Sequence, residues 1–299
     1  MPIVSFKQLM AEAESGQYAV GYFESWNLES LQAVAEAAEA MRSPVLLGFS
    51  GIYLCHPQRR TKVRLAPYAA LGNEMCRQLS VPACLIFNEC PEFETVLEAV
   101  NLGFGMVMFS NETLALDAQS ERVAQLVAAA HRVGVGVEGE VNALPGVGGE
   151  LLGLPMDKHL TDPRLAQAFV ERTGVDALAV NVGQAHLHGR VEVRLDLTRL
   201  EELKKAISVP LVLHGATSIS RSDVQAAIRL GIRKVNVGSI LKRSYFEALS
   251  SAVAKIGGDY NPYEVVGSGM EKDVLEVARI SMRRVVEDLI GLFGSSGKA

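Results

Sequence analysis

Eight short apolar runs alternate with amphipathic segments along almost the whole sequence, and this alternation limits the possible folds more than any other feature. The runs are Tyr18–Phe23, Pro44–Phe49, Pro82–Phe87, Gly105–Phe109, Gly134–Val137, Asp176–Val182, Pro210–Leu213 and Lys234–Val237. Most lack apolar–polar alternation, as strands covered on both faces do. Between them lie Leu28–Met41, Leu65–Leu79, Glu92–Leu102, Asp117–Arg132, Pro163–Thr173, Leu197–Ala206 and Ser220–Leu230. Apolar residues return in these at three- and four-residue spacing, for instance Leu31, Val34, Ala35 and Ala38, which is helical spacing. Thr161-Asp162-Pro163 places a cap before a first-turn proline, and Gly174 follows the last turn of the same helix. Single helices between consecutive strands make the strands parallel, and eight such units close into an α/β, (β/α)8 TIM barrel. With 299 residues, 48% of them hydrophobic, residues 1–299 are expected to form one barrel domain around one core.

Past the eighth run the rhythm breaks. Ser239–Ala254 reads as the eighth barrel helix and Asp273–Leu292 as an appended C-terminal helix. The appended helix carries Val285, Val286, Leu289 and Leu292, a stripe for packing on the barrel or against another copy of the chain. Two long connections, Gly51–Lys62 and the glycine-rich Asn142–His159, are expected to act as lids. A net charge of −5 argues against general affinity for nucleic acid. No apolar run approaches the roughly 18 residues of a membrane span. The N-terminal stretch Met1–Lys7 lacks the layout of a secretory signal. The four cysteines, Cys55, Cys76, Cys84 and Cys90, include no Cys-x-x-Cys pair and read as buried or incidental thiols in a reducing cytoplasm.

A barrel gathers its chemistry at the carboxyl ends of its strands. Just past the eight runs stand Glu24, Ser50, Asn88 with Glu89, Ser110 with Asn111, Glu138 with Glu140, Gln184 with His186 and His188, His214, and Asn236 with Ser239. All are polar, whereas the runs themselves are nearly free of charge. The seventh run leads into His214-Gly215-Ala216-Thr217-Ser218, and the eighth passes through Gly238-Ser239 into a helix. Neighbouring parallel strands that end in small and hydroxyl-bearing residues suit a phosphate, with Ser50 as a further substrate contact. His186 and His214 supply two imidazoles from neighbouring strands, His188 being an alternative to His186, and Glu89 is the leading third ligand. Two imidazoles and a carboxylate with one position open make a catalytic zinc set, and the oxygen ligand also suits manganese or cobalt. The plain alternative for each is a structural hydrogen-bonder or a solvated loop residue.

The stretches Asn27-Leu28-Glu29, Val137-Glu138-Gly139-Glu140, Thr161-Asp162-Pro163, Thr173–Val180, Leu213-His214-Gly215-Ala216, Lys234-Val235-Asn236-Val237 and Leu292–Ala299 carry a resemblance. Along nearly its full length the chain resembles the class II, metal-dependent fructose-bisphosphate and tagatose-bisphosphate aldolase family. The resemblance implies metal ligands at His186 and His214. It implies a phosphate cradle from Gly215, Ala216 and Thr217 and from Asn236, Val237, Gly238 and Ser239, with Glu140 near the metal. It also implies a homodimer or homotetramer. The chain departs from the family around this site. The family's His-x-Asp-His after the third strand is Ile86-Phe87-Asn88-Glu89, so Glu89 replaces a metal-binding histidine and Asn88 the catalytic aspartate. The His-Gly of the sixth loop becomes His186-Leu187-His188-Gly189, and the asparagine usual at the first strand end is Glu24.

In the family's reaction a metal polarises the ketone of a ketose phosphate and stabilises the enediolate left by carbon–carbon cleavage. An aspartate takes the proton of the leaving carbinol. Asn88 has no basic oxygen for that step, so the base passes to Glu89, Glu24, Glu140 or His188. The expected function is a metal-dependent carbon–carbon lyase, with zinc or else manganese or cobalt, on a phosphorylated ketose other than fructose 1,6-bisphosphate. Its rivals are an isomerase or epimerase that stops at the enediolate, and a non-catalytic sugar-phosphate sensor.

Overall fold

Eight parallel strands, each paired with the next in chain order and the last with the first, close into a barrel. They are β1 (Val20–Glu24), β2 (Val45–Ser50), β3 (Ala83–Cys90), β4 (Met106–Phe109), β5 (Gly136–Glu140), β6 (Ala177–Val180), β7 (Leu211–Leu213) and β8 (Ile232–Val237). The structure is a computed structural model and describes residues 3–142, 144, 160–185 and 192–299. The expected lid at Asn142–His159 falls almost wholly outside the described residues, whereas the connection after β2 begins with a short helix, Gly51–Leu54. Among the described residues, no helix is long and apolar enough to cross a membrane.

The strands differ from the sequence reading mainly where charge enters them. β3 continues through Asn88 and Glu89 to Cys90, and β5 continues through Glu138 to Glu140. Glu138, Arg233 and Lys234 all lie on strands and are buried, so the strand interiors are not free of charge as the sequence suggested. Successive strand side chains point to opposite faces, and that alternation resolves the discrepancy. One set, including Val20, Tyr22, Leu46, Cys84, Ile86, Met106, Ala179 and Val212, fills the barrel interior. The other set, including Phe23, Leu47, Leu85, Val107 and Leu178, packs into the larger core shared with the surrounding helices. Charge is tolerated on the inward set only where it finds a buried partner.

A helix not anticipated from the sequence, Phe6–Gly16, closes the amino end of the barrel. Ser5 caps it by accepting the Gln8 N–H, and Phe6, Leu9, Met10 and Ala13 join the interior cluster. Phe6 packs on Gly136, the first residue of β5, where a Cβ would lie 2.9 Å from its ring. Glu14 takes an ion pair from buried Arg233 at 2.6 Å and another from Lys204 at 3.2 Å. At the other end of the chain, the helix Val274–Phe293 packs along the helices Leu28–Ala40 and Ser239–Ala254 and on β1. Phe293 stacks on Phe23, with ring centroids 6.2 Å apart. Val286 and Leu292 are buried in the chain's own core, and Val285 and Leu289 pack against it. The stripe expected to serve either the barrel or a second copy is therefore used within the chain.

Candidate active site at the mouth of the barrel

Toward the carboxyl ends the inward columns turn from apolar to polar: Val20-Tyr22-Glu24 on β1, Leu46-Gly48-Ser50 on β2, Cys84-Ile86-Asn88 on β3, and Gly136-Glu138-Glu140 on β5. The resulting mouth is lined by Tyr22, Glu24, Ser50, Tyr53, Asn88, Glu89, His214, Gly215, Thr217, Ser218, Asn236, Val237, Gly238 and Ser239. Most of the residues singled out in the sequence therefore converge. Ala216 does not line it and packs toward the outer core instead. Glu140 also lies off the lining, buried, with its carboxylate accepting from Ser110 Oγ. His186 and His188 lie outside the described residues.

Asn88 and Glu89 are consecutive, yet both face the mouth, which a regular strand forbids. The register between β3 and β4 shifts between Phe87 and Cys90, and Glu89 adopts a left-handed backbone with φ of 48°. Such a bulge turns the extra residue inward. For a residue other than glycine, this conformation costs on the order of 1–3 kcal/mol and is typical of functional sites.

The polar side chains of the mouth form a closed ring. His214 Nδ1 stands 3.2 Å from Glu89 Oε1, and its Nε2 stands 2.8 Å from Glu138 Oε1. Lys234 Nζ lies 2.8 Å from Glu138 Oε2, an ion pair whose angle falls short of a good hydrogen bond. Lys234 donates to Asn236 Oδ1 at 2.5 Å, Asn236 donates to Asn88 Oδ1 at 3.3 Å, and Asn88 donates to Glu89 Oε2 at 2.6 Å. Burial disfavours charge on His214, but Glu89 and Glu138 outweigh it and hold its pKa at about 10. Burial likewise opposes the Glu138 carboxylate, and Lys234 and His214 overcome it to keep the group below its usual range. For Glu140 the compensation is only partial: burial and then the charge of Glu89 outweigh His214 and the Ser110 hydrogen bond and push it up to about 7. The ring also accounts for an amide, and not a carboxylate, at residue 88 beside Glu89. A carboxylate at residue 88 would face the carboxylate of Glu89, whereas the amide donates to it.

On the far side of the mouth, the helix Ser239–Ala254 starts at Gly238, whose position supplies no side-chain cap. The helix dipole favours an anion at this start. A Cβ on Gly238 would collide with the Glu24 carboxylate, and Gly215, at φ 68°, has Leu144 Cδ2 within 2.8 Å of where its Cβ would be. Thr217 and Ser218, on a single 3-10 turn, face the same space. Glu24 is paired with Lys242, whose Nζ lies 3.9 Å from the Tyr53 ring centroid and 5.6 Å from that of Trp26.

The sequence reading missed Tyr22, Tyr53, Lys234 and Lys242. Tyr22 and Lys234 were detectable as residues two positions before Glu24 and Asn236 on their strands. The Tyr22 hydroxyl is buried, and no described residue hydrogen-bonds it.

Glu89 and His214 fit one corner of a divalent-cation site. They offer an oxygen and a nitrogen donor at one point, and the two carboxylates on either side of His214 demand positive charge there. The Glu138 contact to the remote ring nitrogen is the usual support for a ligating imidazole. Among the described residues no three His, Cys, Asp or Glu side chains converge as metal donors, and the third expected ligand, His186, lies outside them.

Known proteins of one family match the chain and its barrel. The family model "Fructose-bisphosphate aldolase class-II" matches residues 4–298. A sulfofructosephosphate aldolase from Alkalicoccus urumqiensis is 30% identical over 299 residues, covering 100% of this chain and 99% of that protein. The YdjI aldolase of Escherichia coli K12 superposes with a TM-score of 0.80 at 26% identity, covering 99% of both chains. Fructose-bisphosphate aldolase from Campylobacter jejuni, at 18% identity, shares the fold with a TM-score of 0.78 over 99% of this chain and 97% of that one. Matched from residue 4 to residue 298 and built on the same barrel, the chain belongs to the class II fructose-bisphosphate aldolase family and is an aldolase-like carbon–carbon lyase for a phosphorylated sugar.

Proposed function

We propose that the chain makes or breaks a carbon–carbon bond in a phosphorylated ketose that carries an anion other than phosphate, a carboxylate or sulfonate, at its far end. The observation that carries the reading is the approach of His214 Nδ1 to within 3.2 Å of Glu89 Oε1, in the same mouth as the uncapped start of the helix Ser239–Ala254. Glu89, His214 and His186 would hold the ion, zinc first and manganese or cobalt next. When bound, it supplies a Lewis acid for the substrate carbonyl.

The chain's own groups do the rest. Gly238, Ser239, Gly215 and Thr217 receive the phosphate, joined by Asn236, Val237 and Ser50 around the substrate. Glu138 fixes the His214 ring, and Asn88 holds the Glu89 carboxylate. The carbinol proton that an aspartate handles in relatives passes to Glu24, which lines the mouth and is raised by burial, or to Glu140, raised to about 7 behind the lining. The far-end anion is supported by Arg59, Arg60, Lys62 and Arg64, on the connection that leaves the mouth at Tyr53. Arg59 donates to the Tyr53 carbonyl at 3.1 Å. The similarity to a protein named sulfofructosephosphate aldolase points the same way.

The test is aldol synthesis from dihydroxyacetone phosphate with zinc-loaded chain, offering aldehydes that bear a carboxylate or sulfonate beside glyceraldehyde 3-phosphate. The expected result is a higher kcat/KM for the former, abolished by chelation and restored by zinc. Proton exchange into dihydroxyacetone phosphate with no product from any aldehyde would instead establish an isomerase or epimerase. Ligand-induced thermal stabilisation without turnover would establish a sensor.

A further inference from the structure

Cys55 and Cys90 are 35 residues apart in sequence, yet their sulfurs lie 3.6 Å apart at the edge of the mouth. Cys90 ends β3 and directly follows Glu89, while Cys55 closes the short helix Gly51–Leu54. A tight backbone approach brings them together: a Cβ on Gly51 would lie 2.6 Å from Cys90 Cα and 3.0 Å from its nitrogen. Only glycine permits that contact, and Cys55 then sits one helical turn away, its N–H donating to Gly51 O at 2.8 Å.

The two thiols differ in access. Cys90 is fully buried, whereas Cys55 is part-exposed and opens a connection whose residues 57–62 are exposed. The hydrogen bond with Cys90 lowers the Cys55 thiol to about 7 against the opposing effect of burial, so a large fraction is thiolate at neutral pH. The hydrogen bond to Cys55 and burial push the Cys90 thiol well up, and burial pushes Cys76 up to about 12 and Cys84 higher still; what sets Cys90 apart from those two is its contact with the Cys55 sulfur.

We propose that Cys55 and Cys90 form a site of reversible oxidation, in which Cys55 attacks a small-molecule disulfide and Cys90 resolves the adduct into an internal disulfide. The Cys55 thiolate displaces one thiol from the small molecule and forms a mixed disulfide. The Cys90 sulfur then attacks the Cys55 sulfur, its proton leaves to solvent, and the second small-molecule thiol departs. Two protein thiols are oxidised and one disulfide is reduced to two thiols. Cytoplasmic disulfides of this kind are transient and redox-sensing. An S–S bond is about 2.05 Å long, so the sulfurs must approach further. That movement pulls on the residue next to Glu89, whose left-handed backbone aims its carboxylate at His214. Misplacement of such a group by about 1 Å costs about 100-fold in rate, and this is the loss of turnover expected on oxidation. The disulfide rests on the thiol geometry alone, and only its effect on turnover rests on the role proposed for Glu89.

The experiment treats the reduced chain with oxidised glutathione, blocks remaining thiols with iodoacetamide, and maps the peptides. The expected result is a Cys55–Cys90 cross-link, an intact mass lower by two hydrogens, and reversal by dithiothreitol. Cys55→Ser should abolish the cross-link, while Cys90→Ser and Cys90→Ala should each trap the glutathione adduct on Cys55. Turnover should fall about 100-fold in the oxidised wild type and not in identically treated Cys55→Ser. A stable glutathione adduct on wild-type Cys55, or two alkylated thiols after treatment, would overturn the site. A cross-link with undiminished turnover would overturn the role given to Glu89 and leave the oxidation site standing.

Discussion

At the amino end of the barrel, Phe6, Leu9, Met10 and Ala13 fill the interior with apolar side chains on an ordinary capped helix. At the carboxyl end the same cylinder holds Asn88, Glu89, Glu138, His214, Lys234 and Asn236, with Glu89 left-handed inside a strand and not, like Gln17, at a helix end. Apolar burial contributes stability in proportion to area. Buried charges cost several kcal/mol each before their partners offset that cost, and strain adds to it. The comparison shows a division of labour within one core: the lower half holds the barrel together and the upper half is tuned for binding and chemistry.

Substitutions can break that division. The largest effect expected is for Glu89→Ala. Turnover should fall on the order of 10⁴-fold and bound metal should drop with it, while Tm falls less than it does for Phe6→Ala, because the Cβ and its left-handed strain stay and what is lost is a carboxylate whose burial was itself costly. A Tm fall as large as that of Phe6→Ala would show the upper half to be structural after all. Phe6→Ala should destabilise by about 3–5 kcal/mol in denaturant titrations, leaving kcat per folded molecule unchanged.

The next prediction sharpens the account of Asn88. Asn88→Asp should cost about 10–100-fold in metal affinity by calorimetry, and adding Glu89→His should recover most of the loss. If both variants bind metal like wild type, the contact between residues 88 and 89 plays no part in setting the site. The smallest effect is for Tyr22→Phe, which removes a buried hydroxyl with no partner among the described residues. If substrate uses that hydroxyl, KM should rise by up to about tenfold, the equivalent of about 1–1.5 kcal/mol, with little change in kcat. An unchanged KM would assign Tyr22 to the structural half.

The contrast between the halves also decides what could be read in advance. The helices Pro163–Thr173, Leu197–Ala206 and Ser239–Ala254 have the bounds anticipated from sequence, because apolar spacing and caps are local signals. Each expected strand exists for the same reason. The plug helix Phe6–Gly16 was missed because it precedes the first strand and stands outside the strand–helix repeat. Lys234 opens the eighth expected strand, whereas Glu138 falls just past the fifth, since what makes a buried carboxylate tolerable inside a strand is a lysine nearly a hundred residues away. The inward turn of Glu89 depends on a bulge that no residue type announces. The Cys55–Cys90 contact depends on a close approach at Gly51 that spacing alone does not reveal.

Hydrogen bonds link Lys234, Asn236, Asn88, Glu89, His214 and Glu138 in one circuit, closed by the Lys234–Glu138 ion pair. Any one replacement therefore leaves two neighbours mismatched, and mutational drift through this part of the barrel must proceed by paired changes. Diversification toward new substrates is channelled instead to Tyr53, which lines the opening, and to Lys242, which stands over its ring and pairs with Glu24, neither belonging to the circuit. A library aimed at altered selectivity should start from those two positions.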